Sequence, residues 1–356
     1  MRVIKALEYT SVFMEDTGAY FRYANEGRDE PFMAHFPELL DIGIMGHCLH
    51  GESGLCIKAG VQCYQDGLHS TKPNMSIQDF EEIARQCEGK TFQFALGGCG
   101  DPDQHESFKE ILKSCRNHKI VPNFTTSGLG MNDDIAALCK ECCGAVAVSW
   151  YRSDYTLKAI DTLVKHGVKT NIHYVLSNST MDEALERMKN NTFPENINAV
   201  VFLLHKPIGL GKRENCIKPH DSRIDELIRM IMEKKHFKIG FDSCSIPMII
   251  EYPDHFDIES IDTCEGARWS AYITSDMKLL PCSFDNQEQR WAVDLHQYTI
   301  EEAWNSSVFE DFRNRMRNAC PNCKYRNECM GGCPIVPEIV LCDSKDRTTM
   351  PHTFMA

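Results

Sequence analysis

A chain of 356 residues with 42% hydrophobic and 25% charged residues is long enough for about two globular domains. Its net charge of −13 argues against a nucleic-acid partner, because a phosphate backbone calls for a basic surface. No stretch approaches about 20 apolar residues and the first residues lack a signal-peptide core, so no membrane partner and a cytoplasmic location are expected.

Residues 1–38 form an N-terminal segment with no assigned element. From residue 39 to about 243, short β-branched runs alternate with helical patterns. The run 39–45 is the first strand. Ile77, Phe80, Ile83, Ala84 and Cys87 then share one helical face, with Ser76 as N-cap and Gly89 as the stop. Strands follow at 92–96, 120–124, 145–148, 170–175, 199–204 and 237–241, each after an amphipathic helix. Such alternation builds a parallel sheet with helices outside, and six or seven units imply an incomplete barrel with its functional loops at the carboxyl ends of the strands. The expected class is α/β: a partial (β/α)6 TIM-like barrel over 39–245, a small cysteine-rich α+β domain over 246–345, and a tail over 346–356.

The 18 cysteines sort by position. Cys87, Cys115, Cys139 and Cys142 fall on apolar helix faces, where a thiol packs as a small hydrophobe. Cys143 and Cys216 have no assigned role. Cys48, Cys56 and Cys63 share one glycine-bearing loop directly after the first strand, a pattern open to a reactive site, a metal site or packing. Cys264 and Cys282 bracket a hairpin-like segment, and Cys320, Cys323, Cys329, Cys333 and Cys342 follow at separations of 2, 5, 3 and 8 residues. Four thiolates around zinc is the plain alternative there. Seven cysteines overshoot one zinc site and fall short of two, whereas iron–sulfur clusters tolerate a substituted ligand.

The pattern of Cys264, Cys282 and C-x2-C-x5-C-x3-C with a final cysteine resembles the SPASM domain that follows the barrel in many radical S-adenosylmethionine (SAM) enzymes. The resemblance implies two auxiliary 4Fe-4S clusters. The first would take Cys264, Cys282 and Cys333, and the second Cys320, Cys323, Cys329 and Cys342. Cys244 is the nearest candidate for the remaining ligand of the first, with a buried thiol or an open iron site as rivals. Met277 stands where the family usually has glycine, a change of hairpin turn. The same resemblance makes Cys48, Cys56 and Cys63 the ligands of a third, SAM-binding 4Fe-4S cluster. Their C-x7-C-x6-C spacing departs from the family's usual C-x3-C-x2-C, although Tyr64 supplies the trailing aromatic residue.

Leu96-Gly97-Gly98-Cys99-Gly100-Asp101-Pro102 resembles the family's Gly-Gly-Glu-Pro segment, which implies SAM contacts at Gly98, Cys99, Gly100 and Asp101. Ser127, Ser149, Arg152 and Asn171, at or near later strand ends, are further candidates, as are His173 and the segment 204–211. Asp101, Asp242 and Asp276 are candidates to lie near the site for proton transfer. The expected function is a maturase that cleaves SAM reductively to a 5′-deoxyadenosyl radical and oxidatively modifies a peptide or protein. A low-potential donor such as flavodoxin or ferredoxin is the implied partner. The alternatives are radical chemistry on a small molecule and a non-catalytic iron–sulfur or zinc protein.

Overall fold

In a computed structural model, residues 1–257, 261–337, 339, 341 and 342 are described; the tail assigned to 346–356 lies outside them. Strands β1 (Arg2–Lys5), β2 (Tyr9–Met14) and β3 (Ala19–Ala24) form an antiparallel meander. The expected parallel strands follow as β4 (Leu39–Met45), β5 (Gln93–Gly98), β6 (Val121–Thr126), β7 (Val146–Ser149), β8 (Thr170–Leu176), β9 (Ala199–Leu204) and β10 (Lys238–Phe241). Each of the first six is followed by a helix: Ile77–Cys87, Phe108–Asn117, Asp133–Cys142, Asp154–Lys165, Met181–Asn190 and Ser222–Ile231. Six strand–helix units and a seventh strand therefore make a partial barrel. Among the described residues the sheet does not close, and β10 is one of its edges.

The pleat decides what the barrel holds. Leu40, Ile42 and Ile44 on β4 and Phe94 and Leu96 on β5 are buried against the helices, Phe94 meeting Phe80 edge-on at 5.9 Å. Cys87, Cys115, Cys139 and Cys142 are buried in the same layer. The alternate residues face inward and are small or polar. Gln93, Ala95, Asn123, Thr125, Ala147, Asn171, His173 and Asn198 line a cavity of about 320 Å³ at the amino-terminal end of the barrel. The N-terminal meander covers that end: Phe13 packs on Phe92 at 5.7 Å, Lys169 Nζ donates to the Asp16 carbonyl, and Glu15 pairs with Arg116. It lies at the opposite end of the strands from the cysteine loop.

The C-terminal part is joined to the barrel sheet itself. Strand β11 (Ser270–Ile273) pairs in parallel with β4, then β12 (Lys278–Leu280) and β13 (Val293–Asp294) continue antiparallel, so that ten strands form one sheet among the described residues. The β11–β12 hairpin matches the segment expected between Cys264 and Cys282. Met277 adopts a left-handed conformation there, φ +58°, in the turn where glycine would be unstrained. Helix Ser307–Arg317 clamps the hairpin through Arg313, whose buried guanidinium donates to the Ala267 and Trp304 carbonyls.

Candidate iron–sulfur and cosubstrate site

The loop after β4 absorbs its long cysteine spacing in two single helical turns, Leu49–Glu52 and Leu55–Lys58. Cys48 caps the first, accepting from Gly51 N at 3.1 Å, and Gly54 at φ +68° turns the chain into the second. Burial pushes the Cys48 thiol up to about 12, and the charges of Asp101, Cys63 and Cys99 add to that. Cys63 is raised by burial and then by Cys56 and Asp66. Cys48 and Cys63 thus act on one another and on Cys99, and Cys63 lies within reach of Cys56. Sulfur donors on one buried loop are the donor set an iron–sulfur group takes.

The second strand closes on this loop. Gly98 has φ +112°, and a Cβ on it would stand 2.4 Å from the Met45 carbonyl; one on Gly100 would stand 2.5 Å from that of His47. Only glycine permits such an approach. Asp101 accepts from the backbone N and the Oγ of Ser127, which ties the β5 turn to the end of β6. Behind β9, Leu210 N donates to the Cys63 carbonyl, and Gly209 lies against Cys63 and Tyr64 with no room for a side chain. The structure thus gathers Cys48, Cys56, Cys63, Gly98, Cys99, Gly100, Asp101 and Ser127, with the segment 204–211, at the barrel mouth. Cys99 Sγ itself donates to the Gln65 carbonyl.

Three expected contacts, Arg152, Asn171 and His173, are placed elsewhere. The Arg152 guanidinium is held by Glu183 of the helix layer and by the Trp150 carbonyl, and it lies over Tyr174 on the outer face of the sheet. Asn171 stands near the start of β8, bonded to Asn198 and lining the amino-terminal cavity with His173. Ser149 ends β7 on the inward side. Strand alternation from Ser149 leads to Tyr151, which the sequence reading missed. Burial first, then Cys63, Asp101 and Cys48, hold its phenol far above the ordinary value. His50 stacks on Tyr151 at 5.3 Å and lies 2.7 Å from the Tyr155 hydroxyl. The alternation was the available signal; the conspicuous charge of Arg152 masked it.

A second group forms where β10 meets the C-terminal part. Cys264 is raised to about 11 by burial and then by Cys333, and Cys282 to about 12 by burial and then by Cys264 and Cys333. Cys244 is raised by burial and, among its neighbours, by Cys333 and Cys264. These four thiols surround Lys206. Burial pulls the lysine pKa down, but Cys244, Asp242 and Cys333 outweigh that and hold it above the ordinary value. Asp242 also accepts from Leu204 N and Ser245 Oγ, anchoring the Cys244 turn to the end of β9. Asp276 instead pairs with Lys72 beside a polar cavity of about 410 Å³ that reaches Cys99 and Tyr272.

Cys320, Cys323 and Cys329 follow one another through tight turns: Cys323 N donates to the Cys320 carbonyl, and Arg326 N to that of Cys323. Cys342 is partly buried. Among the described residues, no three Cys, His, Asp or Glu side chains close on one point as a single metal ion would require. A lone tetrahedral zinc would draw its sulfurs to about 3.8 Å of one another.

The family model for the SPASM iron–sulfur cluster-binding domain matches residues 264–330. Among solved structures, the chain is similar to Streptococcus suis SuiB bound to S-adenosylmethionine, with 15% identity and a TM-score of 0.65, covering 88% of this chain and 77% of that one. SuiB bound to its precursor peptide SuiA gives 15% and 0.66, over 89% and 77%. The structure titled native anSMEcpe with bound AdoMet and Cp18Cys peptide gives 16% and 0.61, over 87% and 92%. No described helix is long and apolar enough to cross a membrane. The chain thus has a partial barrel with the fold of these structures, followed by a region, residues 264–330, that resembles the SPASM iron–sulfur cluster-binding domain.

Proposed function

We propose that this protein is a radical SAM maturase that oxidatively modifies a peptide or protein, by cross-linking, thioether formation or side-chain oxidation. The observation that carries the reading is the convergence of Cys48, Cys56 and Cys63, after the first parallel strand, with the glycine turn of the second. Cys48, Cys56 and Cys63 would hold a 4Fe-4S cluster beside the glycine turn that would receive SAM. When bound, that cluster supplies the single electron that splits SAM into methionine and a 5′-deoxyadenosyl radical.

The chain's own residues shape the site around this chemistry. Gly98 and Gly100 bring bare backbone to the cosubstrate, and Asp101 keeps that turn in place through Ser127. His50, within the cysteine loop, stacks on Tyr151 and so packs that loop against the chain that follows β7. In this reading residues 39–245 carry the SAM chemistry, and residues 246–345 carry two auxiliary clusters. Cys264, Cys282, Cys333 and Cys244 hold the first; Cys320, Cys323, Cys329 and Cys342 hold the second. A peptide substrate is supported by the likeness to structures that hold peptides, and it enters at the barrel mouth, since the meander covers the other end. A low-potential one-electron donor of the flavodoxin or ferredoxin class supplies the reducing equivalent.

The test is Cys48→Ala, Cys56→Ala and Cys63→Ala together, purified without oxygen. The variant is expected to lose about four iron atoms per chain and all release of 5′-deoxyadenosine from SAM under reduction. Cleavage at the unaltered rate would refute the assignment.

A further inference from the structure

A buried cation stands in the wall of the auxiliary centre nearer the barrel. Lys206 follows the carboxyl end of β9, and its side chain is 1% exposed. Its Nζ has the Cys244 thiol beside it as its hydrogen-bond acceptor, and it lies 3.6 Å from the centre of the Phe284 ring. Burying an ammonium is costly, and such a group persists where opposite charge faces it. The facing charge is Asp242, 3.6 Å away and already accepting from two other donors, and the sulfurs of Cys244, Cys264, Cys282 and Cys333 stand on the same side, anionic once they bind iron. Phe284 completes the wall: it follows Cys282 by two residues, and its ring packs at 4.7 Å on Tyr64, the residue after Cys63.

We propose that Lys206 sets the reduction potential of the auxiliary cluster held by Cys264, Cys282, Cys333 and Cys244, as a fixed positive charge aimed at it from the barrel side. The inference rests on the ligand set assigned above. Reduction adds one electron to the cluster; no bond forms or breaks, no proton moves, and the ammonium is charged in both states. A buried positive charge stabilises the reduced, more negative cluster more than the oxidised one, so it raises the potential. Net charge and contacts at the sulfurs are the levers a protein has on such a centre.

The experiment uses the full chain carrying Cys48→Ala, Cys56→Ala and Cys63→Ala, so that only the auxiliary clusters report. A chemical low-potential reductant titrates them while electron paramagnetic resonance follows each signal. Lys206→Met is expected to shift one midpoint downward by at least tenfold in the reduction equilibrium, about 59 mV for one electron, and to leave the other in place. Lys206→Arg keeps the charge and is expected to stay within threefold of the parent. Full iron content with both midpoints unmoved in Lys206→Met overturns the proposal. Should that variant lose its cluster, Lys206→Gln, which keeps a polar head without the charge, must lower the same midpoint; no shift there overturns it equally. An iron count of one auxiliary cluster in the parent refutes the ligand set, and the proposal with it.

Discussion

Asp41 stands on β4 facing the barrel interior, level with Ala95 on one side and Tyr272 on the other. Enclosure by the barrel raises its pKa to about 7. The unfolded chain releases this proton near pH 4, whereas the folded chain keeps it to about pH 7. The folded state therefore binds the extra proton, so this group's contribution to stability is most favourable below about pH 4 and declines as pH rises to about 7. Asp41→Asn removes that decline, so its thermal midpoint relative to the unaltered protein should climb between pH 5 and 8. Parallel curves would show that the group titrates normally. Asp41 was not legible as special in the sequence, where it is one acidic residue in an apolar run; enclosure alone distinguishes it. Arg152 shows the converse. Its position after a strand suggested a cosubstrate contact, but side-chain direction, set by the pleat, sends it to Glu183 instead.

At the scale of the element, the β5 turn tests how the cysteine loop is held. Gly97 has open space where a Cβ would go, while Gly98 has backbone atoms within 3 Å and a positive φ. Gly98→Ala is expected to lower the thermal midpoint on the order of 5 °C, from backbone strain of ~1–3 kcal/mol, whereas Gly97→Ala should change it by less than about 2 °C. Equal melting of the two variants would mean that the turn is not pressed against β4. Most elements of the barrel were readable, because apolar periodicity and caps such as Ser76 act locally: the helix expected after Ser76 spans Ile77–Cys87, with Ser76 accepting from Asp79 N. The meander of residues 2–24 was not read. Its strands are short, and their partners are themselves and the barrel floor.

For the whole molecule, the pairing of β11 with β4 means that the barrel does not end where its alternation ends. A chain cut after residue 257 would bare the edge of β4, seven residues of apolar character. It is expected to aggregate or melt without cooperativity; a monomeric fragment with the parent melting temperature in size exclusion and calorimetry would contradict this. By itself the sequence determined the succession of strands and helices, the burial of the helix-face cysteines, and the sets of thiols belonging to the two ends of the chain, because each rests on periodicity or spacing within a few tens of residues. Only the tertiary structure decided that Cys244 joins Cys264, Cys282 and Cys333 around Lys206, that Tyr151 rather than Arg152 borders the cysteine loop, and that the C-terminal hairpin extends the barrel sheet. Those juxtapositions join residues up to some 230 positions apart, and no local pattern records them; they follow from which strand edges and side-chain faces the closed packing brings together.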